Sequence, residues 1–294
     1  MTILYALVTI LAWGTWLAPS QNIRFKNNHI KTFYISTANL ILVFLVLLSR
    51  GIHEVTLEGF WLPFVGGLIW AVSGFCAFTA TEKIGIVRAM GIWAPLNIII
   101  SMIWGAMLFD EFAGIDFKNL ALLLASLAMI ISGVLIIIFA RSENQESRFG
   151  KSIGAGLLGA LGAGVLWGTY FIPMRISNAS MWVASFPLAA GMLAGSGILM
   201  LIARQSPKLA TRQEYVLVSL SGVLWGVGNY GMLLLSEAIG TGKGFTIAQL
   251  GLVVNALVGI FLLKDPRPGT RAASITFAGV VLAMLGGIIL GNLK

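Results

Sequence analysis

Ten apolar runs of about 20 residues leave this chain very few folds to choose from. They lie at 2–21, 31–49, 59–81, 86–109, 117–140, 152–174, 180–203, 214–236, 244–263 and 271–291. Each matches the length a helix needs to cross the hydrocarbon of a bilayer, where every backbone N–H and C=O must be bonded inside the segment. Turn and charge clusters separate them: Asn27-Asn28, Ser49-Arg50-Gly51, Asp110-Glu111, Arg141 to Lys151, and Lys264-Asp265-Pro266-Arg267-Pro268-Gly269. Only 10% of the 294 residues are charged and 58% are hydrophobic, against about 25% charged in a soluble domain. The expectation is an all-α integral membrane protein of ten transmembrane helices. Met1-Thr2 enters the first run with no Lys or Arg before it, which reads as a retained helix rather than a cleaved signal peptide.

The chain repeats itself. Trp13-Gly14-Thr15 with Pro19 returns as Trp167-Gly168-Thr169 with Pro173, at an offset of 154. At an offset of 155, Gly67 and Trp70 fall on Gly222 and Trp225, Phe75 on Tyr230, and Glu82 on Glu237. Gly85 falls likewise on Gly240, Arg88 on Lys243, Asp110 on Asp265, and Leu127-Ala128-Met129 on Leu282-Ala283-Met284. Chance similarity between apolar runs matches Leu and Ile, but rarely Trp, Glu, basic residues and Asp in register. Two five-helix repeats are expected, 1–140 and 152–294, joined by a cytoplasmic linker at 141–151. Five is odd, so the repeats cross the membrane in opposite senses, the inverted plan of many secondary transporters.

The net charge of +8 is explained by topology and is no nucleic-acid footprint. Of 19 Lys and Arg, 14 lie in the loops after runs 1, 3, 5, 7 and 9, and 5 in the opposite loops and C-terminal tail. By the positive-inside rule the richer side is cytoplasmic, with both termini outside a plasma membrane.

Polar side chains within spanning helices face a bundle interior or a water-filled cavity. The candidate substrate-binding amides and hydroxyls are Thr15, Asn39, Asn97, Thr169, Asn229, Gln249 and Asn255. Such groups both donate and accept, which suits a neutral polyhydroxylated or amide-bearing solute. Trp13, Trp93 and Trp167 share those helices and offer faces for a sugar ring or planar heterocycle. The competing account makes the amides interhelical glue and the tryptophans packing or interfacial anchors. The two Gly-Thr pairs are expected near the membrane midplane, facing inward.

The paired cations Arg88 and Lys243 and the paired acids Glu82 and Glu237 are candidate gating or coupling groups. Snorkelling and simple solvation at helix ends are the competing readings. Small residues recur every fourth position as Gly156, Ala160, Gly164 and Gly168, and as Ala155, Gly159 and Ala163, which marks helix-packing faces. Gly240-Thr241-Gly242-Lys243-Gly244 lacks the strand and spacing of a phosphate loop, which rejects an ATPase. His29 and His53 lie in loops, no metal-ligand spacing or nucleophile–base pair appears, and Cys76 is the single cysteine. An enzyme, a metal or another cofactor is therefore not expected.

Gly222-Val-Leu-Trp-Gly-Val-Gly-Asn229, Thr246-Ile-Ala-Gln-Leu250, the Trp13-Gly14-Thr15 opening and the closing Ile288-Ile-Leu-Gly-Asn-Leu-Lys294 carry a resemblance. On these residues the chain resembles the drug/metabolite transporter superfamily, in its glucose/ribose and rhamnose uptake branch. The resemblance implies ten helices around a central cavity and symport of a monosaccharide with a cation, often a proton. It implies that Asn229 and Gln249 are cavity residues, and that Asn97 stands where the family often has glutamine. Gly74 and Phe75 depart from it where relatives often carry a polar residue, and Arg88 replaces a small or polar one. Plant-type ureide permeases share the plan, so a ureide or nucleobase is an alternative solute, and a non-transporting receptor or scaffold is an alternative of another class. A second copy of the chain is an open partner.

Overall fold

Hydrogen bonding that must close on itself gives helices throughout the computed structural model. It describes residues 1–294 except 17, 21, 22, 24, 51–54, 85, 141–152, 205, 259, 262–266 and 294. Side chains at 28, 50, 58, 78, 81, 82, 84, 86–88, 90, 91, 138, 153 and 291 also lie outside the description. The expected linker thus falls outside the described residues.

The segments are α1 (Thr2–Thr15), α2 (Asn28–Arg50), α3 (Leu57–Ile84), α4 (Ile86–Phe109), α5 (Phe117–Ala140) and α6 (Ile153–Trp167). They continue with α7 (Ile172–Ile176), α8 (Met181–Ile202), α9 (Arg212–Ile239), α10 (Thr241–Ala248), α11 (Gly251–Val258) and α12 (Arg271–Gly291). Among the described residues, eight stretches are long and apolar enough to cross a membrane, the sixth run doing so as α6 and α7 together, over Gly154–Ile176. The first and ninth runs differ from the expectation of ten full spans. Helix α1 has 14 residues, about 21 Å at 1.5 Å per residue, and the ninth run is divided into α10 and α11.

The breaks have local causes. Pro173 has no N–H to return to the carbonyl of Thr169, and the Ile172 N–H takes that acceptor instead at 2.9 Å. Between α10 and α11 the bonds tighten to a three-residue spacing, from Leu250 N to Ile247 O (3.0 Å) and Leu252 N to Gln249 O (3.0 Å). Some helix starts carry side-chain caps. Thr211 and Glu214 form a reciprocal capping box on α9, and Thr270 accepts from Ala273 N on α12.

Helix α5 packs on α12, α4 on α10, and α2 on both α8 and α9. Helix α3 packs on α8 and α6, α1 on α9 and α11, and α4 on α6. The small residues of α6 divide between two neighbours: Gly159 meets Cys76 and Ala80 of α3, while Gly164 meets Leu96 of α4. Large apolar side chains such as Leu45, Leu124, Leu201 and Phe277 are exposed, whereas Thr9, Ser36, Asn39, Asn97 and Asn229 are buried. A bundle turned apolar side outward suits lipid.

The α5–α12 contact predicts a measurable asymmetry among glycines. A Cβ on Gly133 would lie 2.6 Å from both Gly279 O and Ala283 N, while one on Gly154 would meet nothing within 4 Å. Gly133→Leu should cost about 1–3 kcal/mol and Gly154→Ala less than about 0.5 kcal/mol, read from thermal midpoints of the purified protein.

Candidate functional site

The repeated Trp-Gly-Thr stretch marks where helices stop. In the first half Thr15 is the last residue of α1, and in the second Trp167 ends α6 with Gly168 and Thr169 in the turn beyond. The two glycines serve the same purpose. A Cβ on Gly14 would lie 2.8 Å from Gly251 O of α11, and one on Gly168 would lie 2.8 Å from Asn97 O of α4. Only glycine lets a backbone come so close to its neighbour.

From these breaks a wall of rings extends through the interior. Trp13 stacks on Trp225 at 6.4 Å and 27° and meets Phe245 edge-on at 6.2 Å. Its indole Nε1 donates to the Trp225 carbonyl at 3.3 Å, and its ring occupies the space a side chain on Gly228 would need. Trp225 meets Trp70 at 4.9 Å and Tyr170 at 6.4 Å. Phe171 stacks on Phe245 at 4.7 Å. The Tyr170 hydroxyl donates to Asn229 Oδ1 at 2.8 Å, and the Thr9 hydroxyl donates to the Gly228 carbonyl. Residues of α1, α3, α9, α10 and the α6–α7 turn thus converge on one aromatic cluster with a polar pair inside it.

The other sequence candidates are distributed around this cluster. Trp167 meets Trp93 edge-on at 5.4 Å. Thr169 Oγ1 accepts from Trp104 Nε1 at 2.9 Å and donates to Val165 O at 2.7 Å. Thr15 also turns back on its own helix, donating to Leu11 O at 2.8 Å. Asn255 Nδ2 donates to Gly14 O at 3.3 Å, tying α11 to the end of α1. Half-buried Gln249 occupies the α10–α11 break.

Two amides stand apart. Asn39 is 1% and Asn97 4% exposed, and the Oδ1 of each has no hydrogen-bond partner among the described residues. Asn39 Nδ2 reaches Met192 Sδ at 3.5 Å. A buried acceptor left unpaired costs about 1–3 kcal/mol.

Of the candidate gating groups, Glu237 is exposed at the end of α9. Lys243 lines a cleft of about 220 Å³ with Glu111, Asp116 and Asn119. The side chains of Glu82 and Arg88 lie outside the described residues. A larger cleft, about 470 Å³, lies between Thr56, Gly59 and Leu62 on one side and Ile176 to Ser180 with Val183 on the other. Among the described residues no three His, Cys, Asp or Glu side chains group to hold a metal ion.

Sequence reasoning missed Glu111. Its carboxylate accepts from the backbone N–H of Thr241 and, at 3.0 Å, from that of Gly242, the first two residues of α10. Arg175 Nε donates to Thr241 Oγ1 at 3.2 Å, and its guanidinium stands 5.5 Å from the Phe109 ring centroid. The glycine-rich stretch at 240–244 was the available signal. It is a helix N-terminus, whose free N–H groups and positive dipole end attract an anion, and the anion comes from this chain.

A family model described as "Sugar transport protein" matches residues 4–293. A protein of Enterococcus faecalis named for sugar uptake is 27% identical, with all of both chains covered. "Glucose uptake protein GlcU" of Bacillus subtilis is 24% identical over 100% of this chain and 99% of that one. A crystal structure of another protein shares the fold at a TM-score of 0.72, with 18% identity over 98% of each chain.

Proposed function

The chain belongs to the sugar transport protein family, and from that premise we propose that it takes up a monosaccharide by alternating access. The observation that carries this reading is the Tyr170–Asn229 pair set in the wall of Trp13, Trp70 and Trp225, beside the helix breaks. Flat apolar faces beside paired donors and acceptors are what a sugar ring offers a partner for. Broken helices at the interface of repeats are where secondary transporters bind their solutes.

The packing supports two inverted repeats, 1–140 and 152–294. Exchanging the first five spans for the second five turns α3–α6 into α9–α1, and α4–α6 into α11–α1. It turns α2–α9 into α8–α3, and it returns α5–α12, α2–α8 and α4–α10 to themselves. The excess of Lys and Arg on one side, 14 against 5, supports extracytoplasmic termini in a plasma membrane. Proton symport is the proposed drive. One charge crossing 100 mV supplies about 2.3 kcal/mol, enough to concentrate a neutral solute about fortyfold.

Reconstituted vesicles test this. Vesicles preloaded with unlabelled glucose should accumulate labelled glucose by counterflow, and an inward proton gradient should drive net uptake that a protonophore abolishes. Counterflow of a ureide or nucleobase, but of no sugar, would replace the substrate. Movement of no solute in a panel of all three classes would leave a membrane receptor or scaffold.

A further inference from the structure

Glu111 fastens the first half of the chain to the second at one end of the bundle. It lies in the turn between α4 and α5, directly after Asp110, whose φ of 49° turns the chain back. Its carboxylate is seated against glycine on two sides: a Cβ on Gly105 of α4 would lie 2.7 Å from Oε2, and one on Gly240 would lie 2.8 Å from it. Gly240 has a φ of 103°, a conformation L side chains rarely adopt, and it opens α10 directly toward that carboxylate. Thr241 then links a third element through its bond from Arg175 of α7.

We propose that Glu111 is a protonatable latch: ionised, it holds the α4–α5 turn on the N-terminus of α10, and on taking a proton it lets that end of the bundle open. The ionised carboxylate accepts two N–H bonds, each charge-assisted and aligned with the positive end of the α10 dipole. A carboxylic acid carries no net charge, and its O–H would be turned toward donors. Helix α10 is eight residues long and is followed by the Gln249–Leu250 break, so it has a hinge on which to move as one body. Among the described residues, the charged groups that line the adjoining cleft with it are Lys243 of α10 and Asp116 of the same turn, and Lys118 follows at the start of α5. Beyond them stand Asp110, Arg175 of α7, and exposed Glu237 at the end of α9. As the group that carries the coupling proton, Glu111 rests on the transport reading; as a latch it needs no substrate to be seen.

The test is therefore made on detergent-solubilised, full-length protein without solute. Ser101 is fully buried on α4, and its carbonyl lies 3.1 Å from where Gly242 would carry a Cβ, just inside the latch. In a Cys76→Ser background, Ser101→Cys is labelled with a maleimide–polyethylene glycol. Rates are normalised at each pH to the same thiol in denatured protein. Labelling should be slow and flat near neutral pH and accelerate as the solution is made acid, by up to about tenfold per unit. With Glu111→Gln it should be fast and independent of pH, and with Glu111→Asp it should keep a pH dependence. Lys243→Gln and Asp116→Asn should leave the profile in place. A flat parental profile, or a Glu111→Gln profile that follows the parent's, overturns the latch. Should Glu111→Gln fail to fold, the parental profile and its survival in the Lys243 and Asp116 variants decide the matter.

Discussion

Asn229→Leu should lower the thermal midpoint and remove most of the uptake, and Tyr170→Phe added to the same chain should restore the first without the second. Asn229 and Tyr170 are each 2% exposed, and the phenol donates to the amide oxygen at 2.8 Å. Leucine fills nearly the same volume but strands a buried O–H, which costs about 1–3 kcal/mol. Deleting the hydroxyl as well removes the stranded group, so the double-mutant cycle should return a coupling of about 1–2 kcal/mol. Uptake follows a different rule. If the solute exchanges hydroxyl contacts with this pair, two apolar residues offer it nothing, and transport should fall about tenfold to a hundredfold in both chains. Tyr170→Phe alone frees the Asn229 oxygen without removing it and should reduce uptake less. Measuring both quantities on the same preparations separates packing from binding. Uptake that recovers with stability in the double variant would place the solute elsewhere.

The parts of this molecule that were legible from residue order are those decided by local chemistry. Runs of apolar residues become helices because no other backbone is satisfied in lipid, and the expected 117–140 and 271–291 are the helices α5 and α12. The alternating small residues of α6 were readable as packing faces for the same reason, since close approach needs glycine or alanine wherever the partner lies. Hydropathy is silent on where a run breaks. Gly168 to Phe171 and Gln249-Leu250 lie inside runs that are apolar enough overall to read as continuous, and the interruption depends on bond spacing rather than on mean polarity. The ninth run was expected at 244–263, whereas α10 begins at Thr241: Gly240 to Gly244 reads as loop until a carboxylate from elsewhere satisfies its first N–H groups. That carboxylate, Glu111, belongs to a turn 130 residues away from Thr241, a pairing no local pattern announces. Trp104 and Phe245, which complete the contacts of Thr169 and Trp13, were hidden likewise among ordinary apolar residues.

Asn97→Leu should make the protein more stable and a poorer transporter. Buried amides that serve as interhelical glue have partners; Asn97 Oδ1 has none among the described residues, although its backbone carbonyl lies against Gly168 just beyond the end of α6. Removing an unpaired buried acceptor while keeping the volume recovers its desolvation, about 1–3 kcal/mol, less what repacking a branched side chain costs, so a gain of about 1 kcal/mol is expected. Asn39→Leu is the companion case and should gain less. Its Nδ2 has a weak acceptor in Met192 Sδ, and its Oδ1 lies where a side chain on Gly226 would sit, so the added methyls are more crowded. Proteins keep such groups where function needs them, at the expense of stability. An uptake loss of about tenfold or more with a raised midpoint would mark Asn97 as an acceptor held open for the solute. A lowered midpoint with uptake unchanged would make it a structural tie between α4 and α6, and would leave the Tyr170–Asn229 pair as the polar centre of the site.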